Sequence, residues 1–367
     1  MKGLRYLVLT PGMMGADGVA ELSRLALRAL GASAMESVPA SVDVVSLTDP
    51  PGFSMEDRGF PRARFFGAGG RRSRFVAAAV RAGFGRARPT HVLCLHVHLS
   101  PLARVPVAPQ AALITFLVGI EAWKPLRTLE RLALRRADLL VAISAHTARR
   151  FREANPDFRD RPIQICHLAV REKDGPSARP EPCQRMGRPA GPFALIVGRM
   201  VAEERYKGHD LLIDIWPSIV AAVPGVRLVV VGDGDDRARL EARAAYLDDH
   251  VSFRGRVSDG VLAQLYRDCA FFVMPSRGEG FGLVFLEAMH AGKACIGCVG
   301  AAGEVIVDGV TGFVVDQDRE QVLRALLRLF REPELRRRMG EAGAARVAGE
   351  FTEAHFRRRF RALLGLA

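Results

Sequence analysis

Cysteine is scarce. Six residues, Cys94, Cys166, Cys183, Cys269, Cys295 and Cys298, are scattered over 367 positions, too few and too dispersed for a disulfide framework. Most lie in apolar, strand-like runs, which points to a reducing compartment and a cytoplasmic location. Long apolar runs are missing as well. No window holds 18 uninterrupted apolar residues, and the nearest, Ala111 to Ile120, is about half a bilayer span, which excludes an integral membrane protein. The N-terminus, MKGLRYLVLTPGMMG, has no small-residue cleavage site after its short apolar run. It is predicted as a first buried strand and not as a secretory signal. Negative charge is also in deficit: 40 Asp and Glu face 53 Lys and Arg, a formal charge of +13. That imbalance favours an anionic partner: nucleic acid, an acidic membrane surface or a phosphorylated substrate.

What is present is an ordinary globular balance, 49% hydrophobic and 25% charged, which argues against a disordered chain. The length suggests about two domains. Short apolar runs alternate with amphipathic stretches. In the first half the runs are LRYLVLT, VDVVSL, HVLCLHV, AALITFLV, ADLLVAIS and IQICHL; in the second they are FALIVGRM, RLVVVGDG, VSFRGRV, CAFFVMPS, ACIGCV and TGFVVD. Between them lie helical patterns such as GVAELSRLALRAL and LRTLERLALRRA. Alternating β and α with Val-, Ile- and Leu-rich strands predicts parallel sheets covered on both faces. Residues 171–192 carry eight Gly or Pro in 22 positions, a linker composition. The expected fold is α/β, with two doubly wound Rossmann-like domains. Residues 1–175 form the first, 176–192 the linker and 193–351 the second. Ligands of such sheets bind at the carboxyl ends of the strands, and with two domains the natural site is the cleft between them.

Residues 58–88 resist this scheme. They hold nine arginines and no acidic residue, with Phe60, Phe65, Phe66, Phe75 and Phe84 interleaved. One reading is a solvated loop and helix face. A second is a peripheral docking surface for an anionic membrane or a phosphorylated acceptor. Single-stranded nucleic acid stacked on the phenylalanines ranks third, because no nucleic-acid module surrounds the segment.

Two stretches carry chemistry. In MPSRGEGFGLVFLEAMHAGK, Met274 to Lys293, a strand ends in a Gly-rich turn that opens a helix. Gly278, Gly280 and Gly282 let backbone approach a ligand, and the first-turn amides around Gly282, Leu283 and Val284 face an anion. Glu279 precedes the helix. Glu287 lies inside it in apolar surroundings, where a carboxylate is rarely buried without a partner. A loop acid and a snorkelling helix acid are the plain alternative. In VGRMVAEERYKGHDLLIDIW, Val197 to Trp216, a strand ends at Gly198 and a helix begins near Gly208. Arg199 and Lys207 flank that connection, two cations suited to a diphosphate; otherwise they are exposed surface bases.

These segments together resemble the retaining GT-B glycosyltransferases, and within them glycosyltransferase family 4. The likeness spans nearly the whole chain and is strongest from 193 to 350. Glu279 and Glu287, within EGFGLVFLE, stand where the family has a Glu, seven residues, Glu signature. The resemblance implies that Glu279 contacts the transferring sugar and that Glu287 binds the ribose hydroxyls. The amides of Gly280, Phe281, Gly282, Leu283 and Val284 would touch sugar and diphosphate, and Arg199 and Lys207 would neutralise the diphosphate. VSFRGRVSD looks like the nucleobase edge, with backbone around Arg256 and Val257 reading the base, and VVVGDGDD resembles the strand before it. TPGMMGADGVAELSR is similar to the family's first loop, where Gly12, Gly15 and Gly18 would admit donor. LHVHLSPLA and FLVGIEAWKPLRTLERLALRRADLLVAIS also match family segments, which makes His98 and Glu121 candidate acceptor or sugar contacts; a core role for His98 is the alternative. The chain departs from the family at Val118, where a His that contacts the donor sugar is common. The last segment, FTEAHFRRRFRALLG (351–365), resembles the terminal helix, expected over 352–367, that crosses back to the first domain.

The activity implied is metal-independent, cofactor-independent transfer of a hexosyl unit from a UDP- or GDP-sugar to a glycan or lipid-linked acceptor, in cell-surface polysaccharide or glycolipid synthesis. Helix N-termini, Arg199 and Lys207 would stabilise the leaving diphosphate. No carboxylate pair is placed for double displacement, so retention would come from front-face substitution. Rival readings are a sugar-nucleotide epimerase using His98 or Glu121, a non-catalytic sugar-nucleotide-binding protein, and a nucleic-acid binder. Two patterns read as decoys. Asp233, Asp235 and Asp236 form a D-x-D that is better placed to cap a helix than to hold a metal. Cys295 and Cys298 form a CxxC at the end of an apolar strand with no second pair for zinc.

Overall fold

A computed structural model describes residues 4–15, 17–31, 41–52, 63–84, 88–104, 111–170 and 191–366. The expected linker lies outside the described residues up to position 190, as do 58–62 and 85–87 of the basic segment. The chain forms two compact units, Met1–Ala169 with Glu353–Ala367, and Val170–Thr352.

The first unit is built in the order β1 (Arg5–Thr10), α1 (Gly18–Gly31), β2 (Ser41–Ser46), β3 (Ala63–Gly67), α2 (Arg72–Phe84), β4 (His91–Cys94), α3 (Ser100–Arg104), β5 (Ala112–Leu117), α4 (Thr128–Arg135), β6 (Leu139–Ala142), α5 (Ala145–Ala154) and β7 (Ile163–Ile165). Among the described residues its seven strands are all parallel, in the order β3-β2-β1-β4-β5-β6-β7. The second unit runs β8 (Phe193–Val197), α6 (His209–Ala222), β9 (Arg227–Val231), α7 (Arg237–Ala244), β10 (Val251–Phe253), α8 (Asp259–Asp268), β11 (Phe271–Met274), α9 (Leu283–His290), β12 (Cys295–Cys298), α10 (Ala302–Val305), β13 (Gly312–Val315), α11 (Arg319–Arg331) and α12 (Pro333–Glu350). Its six strands, also parallel, run β10-β9-β8-β11-β12-β13. The last helix, α13 (Glu353–Leu363), belongs to the first unit.

Hydrophobic pattern explains these elements. Five of the six residues of β1 are buried, as parallel strands covered on both faces require. In α11 the buried residues Val322, Ala325, Leu326, Leu329 and Phe330 recur at three and four, one stripe of an amphipathic helix. Asp318 caps that helix by accepting the amides of Glu320 and Gln321, both at 3.0 Å. Both sheets are doubly wound, and the strand order turns at β1/β4 in one and at β8/β11 in the other. A crevice opens at such a switch point, outside the carboxyl ends of the strands.

The basic segment is more ordered than a solvated loop and helix face. Residues 63–67 form the edge strand β3, which pairs in parallel with β2. Arg64 holds Asp43 of β2 through two hydrogen bonds, at 2.6 and 2.8 Å. Helix α2 buries Phe75, Ala79 and Gly83 and leaves Arg71, Arg72, Arg74 and Arg81 exposed around it. The alternation of Arg with Phe hid this strand: a charged edge strand lacks the apolar continuity of a central one.

Candidate active site

In the second unit the loops leaving β8 and β11, the two strands at the switch point, are locked together. Gly208, in the left-handed region at φ +86, ends a 3-10 turn over Ala202–Lys207. A Cβ there would stand 2.7 Å from Pro275 O, so both conformation and closeness demand glycine. Gln317 donates from Nε2 to Tyr206 O at 2.8 Å and to Pro275 O at 2.6 Å. The Arg277 amide donates to Tyr206 O at 3.2 Å. Gly278 lies against the Tyr206 ring, 2.4 Å from a Cβ built on it. The missing side chain of Gly278 thus makes room for the Tyr206 ring.

The clamp brings together Arg199, Lys207 and Glu279. Lys207 Nζ donates to Glu279 Oε1 at 3.0 Å and lies 3.9 Å from Glu204 Oε2. The Arg199 guanidinium pairs with Glu204 Oε1. Ser276 Oγ donates to the same oxygen of Glu279 at 3.1 Å. Two cations are thus held at the strand ends by two carboxylates. Burial, then the charges of Glu204 and Glu279, push the Tyr206 hydroxyl up to about 12. Behind Lys207, His209 is 5% exposed, and its Nε2 has no hydrogen-bond partner. Burial, then Lys207, lower its pKa to about 4. Both side chains face Gly198: a Cβ there would meet Lys207 Cδ at 3.5 Å and His209 Cε1 at 3.8 Å.

Gly282 is the N-cap of helix α9 and offers no side-chain cap, which leaves the Leu283 and Val284 amides in its open first turn. Phe281 is 2% exposed and packs on Phe351, ring centroids 6.0 Å apart, so only its backbone is available to a ligand. Glu287 accepts from Tyr266 Oη at 2.8 Å. That hydroxyl is pushed well above its ordinary pKa by burial and then by Glu287, which keeps it a donor. Val257 is half-buried and Arg256 exposed, in the turn after β10 where Gly255 O accepts the Gly232 amide at 2.9 Å.

The aspartates of the D-x-D do not cap α7. No side chain closes that helix. Asp236 instead accepts from Arg205 (2.9 Å) and Arg239 (2.6 Å), which hold its carboxyl far below the usual range, Arg239 foremost. Asp235 accepts the Ala202 amide at 3.0 Å and so anchors the turn that carries Lys207. Cys295 and Cys298 are buried free thiols; burial pushes Cys298 up to about 12 and Cys295 well above its ordinary value.

In the first unit Gly12 and Gly15 lie between β1 and α1, and Gly18 is the first residue of α1. Asp17 caps that helix, accepting Val19 and Ala20 amides at 3.0 and 2.9 Å, and Asp49 accepts the Met13 and Met14 amides at 2.8 and 3.1 Å. Val118 is 3% exposed, a core residue. Glu121 accepts the Gly119 amide at 2.9 Å and lies 3.6 Å from His96 Nε2. His98 Nδ1 is 2.7 Å from Glu130 Oε1.

Sequence reasoning missed Glu204, Tyr206, Ser276, Gln317, Tyr266, His96 and Glu130. Glu204 carried a signal, three residues before Lys207 on one turn. Gln317 and Tyr266 carried none, since long-range packing alone places them.

Two doubly wound parallel units of this kind are the architecture of the GT-B glycosyltransferases. The solved Anabaena protein HepE, crystallised with UDP-glucose, shares the fold, with a TM-score of 0.77 at 19% identity over 99% of this chain and 100% of that one. The sequence profile of "Glycosyl transferases group 1" matches residues 191–332. A Mycobacterium tuberculosis protein named GDP-mannose-dependent alpha-(1-6)-phosphatidylinositol monomannoside mannosyltransferase is 30% identical over 284 residues, 73% of this chain and 71% of its own. An uncharacterized glycosyltransferase of Methanocaldococcus jannaschii is 34% identical over 154 residues, and there the chain spans only 42% of the relative's length. The chain belongs to the group 1 glycosyltransferases.

Proposed function

We propose that the protein transfers a hexosyl unit from a nucleotide-diphosphate sugar, with retention of anomeric configuration, to a lipid-linked or glycan acceptor. The observation that carries this reading is the clustering of Arg199, Lys207 and Glu279 at the β8/β11 switch point, beside the open start of α9. The donor diphosphate takes over Arg199 and Lys207 from the carboxylates that hold them in the free protein, and the amides after Gly280 add dipoles to the same oxygens. Glu279, released from Lys207, accepts sugar hydroxyls, and Glu287, oriented by Tyr266, accepts ribose hydroxyls. As the anomeric bond breaks, charge grows on the leaving phosphate, where the two cations stabilise it most. The phosphate then accepts the proton of the hydroxyl attacking from the same face. No metal or cofactor enters the scheme.

GDP-mannose is the first donor to test, because the mycobacterial relative is named for it; UDP-sugars follow from the HepE complex. The relative's glycolipid acceptor makes a membrane-held acceptor the leading class, and the exposed arginines around α2 offer such a membrane an anionic-lipid contact. Calorimetry with GDP, UDP, ADP and dTDP tests the core of the proposal. One nucleotide binds wild type in the micromolar range, and Lys207→Ala weakens it by at least about tenfold, the loss of a charge-assisted contact. Binding of none of the four, or equal binding by the variant, removes the basis for the assignment. Product analysis by NMR then reads the anomeric configuration.

A further inference from the structure

One carboxylate of the candidate donor site is placed unlike the others. The turn over Ala202–Lys207 leaves helical geometry at Glu204, φ −110 and ψ 24, and Glu204 is its one buried residue. The Glu204 amide donates to Val201 O at 2.8 Å, and Asp235 holds the head of the turn through the Ala202 amide at 3.0 Å. The Glu204 side chain, 8% exposed, meets two cations. Its Oε1 accepts from the Arg199 guanidinium, and its Oε2 lies 3.9 Å from Lys207 Nζ. Oε2 is buried and has no hydrogen bond among the described residues. The neighbouring Arg205 is turned to Asp236 at 2.9 Å.

The two acids near Lys207 differ in what else holds them. Glu279 accepts at Oε1 from Lys207 at 3.0 Å and from Ser276 Oγ at 3.1 Å, so a hydroxyl remains to it when Lys207 turns away. Among the described residues Glu204 has only the two cations. A buried carboxylate stripped of its partners has lost solvation that nothing returns. Arg199, by contrast, is 64% exposed and open to an arriving anion. One carboxylate that reaches both cations also shows that they stand close enough for a single oxyanion to span. A lone phosphate would therefore compete for the place that Glu204 already fills, and would gain little by the exchange. A diphosphate brings two anionic groups, one for each cation, and so offsets the cost of uncovering Glu204. Selectivity of this kind comes from a penalty against the wrong ligand and needs no extra contact to the right one.

We infer that Glu204 is a specificity-determining residue of the donor site: a resident carboxylate that turns away ligands bearing one phosphate and yields to those bearing two. The inference rests on the glycosyl-transfer reading in taking a diphosphate as the ligand of Arg199 and Lys207, but its test needs neither sugar nor turnover. Inorganic phosphate and pyrophosphate are titrated into the full chain by calorimetry, and the ratio of their Kd values is compared among variants. Wild type prefers pyrophosphate. Glu204→Gln keeps the shape and removes the competing charge. It is expected to tighten phosphate about tenfold, the order of one charge-assisted contact, while pyrophosphate changes by less than about threefold. The preference for pyrophosphate therefore falls. Glu203→Gln, the same loss of charge at an exposed neighbour, is the control. General electrostatics favours the more highly charged pyrophosphate, so in that variant the preference holds or rises. Should Glu204→Gln not fold, Glu204→Asp, too short to span both cations, takes its place and the preference falls in the same direction. An unchanged or increased preference in the Glu204 variant overturns the inference, as does an equal fall in Glu203→Gln or an absence of pyrophosphate binding to wild type. A fall in the preference with no nucleotide bound upholds the role of Glu204 and counts only against the transfer reading. Nucleotide binding that Lys207→Ala weakens, with the preference unmoved in Glu204→Gln, does the reverse.

Discussion

His209 shows how one buried group links the candidate donor site to stability. Its imidazole is neutral in the fold because burial and Lys207 oppose the proton more than Asp210 and Asp236 favour it. The folded pKa of about 4 lies below the ordinary 6.5, so between these values the unfolded chain binds more protons than the native one. Stability is therefore full above pH 6.5, falls as pH drops from 6.5 to 4, and changes no further from this group below 4. The depression corresponds to roughly 3 kcal/mol. Urea unfolding at pH 7 and pH 5 reads it: wild type loses stability over that interval and His209→Gln loses markedly less. Equal losses would show that other groups carry the acid sensitivity. The same ring marks a limit of sequence reading. His209 follows Lys207 and Gly208 in plain view, yet its burial beside Gly198 follows from where the start of α6 meets the end of β8, which no local pattern encodes.

At the scale of elements, α13 is the informative case. Its residues follow the second unit in sequence but pack with the first, where Phe356 and Phe360 are buried. The Phe360 ring stacks on Phe116 of β5 at 6.0 Å, and Arg28 of α1 pairs with Glu353 at 2.8 Å. Truncation of a buried aromatic costs about 3–5 kcal/mol. Phe360→Ala is expected to destabilise the first unit by that order while nucleotide binding in the second persists, measured by denaturant unfolding alongside calorimetry. A loss below about 1 kcal/mol would mean that the helix is only loosely attached. The strands were readable wherever they are central and apolar. Strand β3 was not, because an edge strand may carry Arg64 facing Asp43 and still pair.

At the scale of the whole molecule the charge of +13 is the dominant fact. Around α2 the arginines are exposed together with Phe84, at 51%, and Val76, at 37%, a basic surface with apolar side chains among the charges. Each basic residue near an anionic bilayer contributes about 1 kcal/mol, within a Debye length of about 10 Å at 0.1 M salt. Co-sedimentation with phosphatidylserine vesicles is expected at low salt, lost at about 0.5 M salt and reduced in an Arg71, Arg72 and Arg74 to Ser triple variant. Indifference to anionic vesicles at low salt would sink the membrane contact. No helix among the described residues is long and apolar enough to cross a membrane, so any such contact through those helices is peripheral.

The sequence by itself determined the two parallel α/β units, since covered strands must be apolar and their helices amphipathic. It also marked Arg199, Lys207, Glu279 and Glu287 by type and spacing near Gly-rich strand ends. Only tertiary structure decided what those groups touch: Glu204 between two cations, Tyr266 on Glu287, Gln317 across two loops, and Glu130 behind His98. Strand and helix periodicity is a local consequence of burial, legible in a few neighbouring residues. The partner of a buried charge is chosen by where distant segments meet, and that is fixed only when the sheets close their strand order.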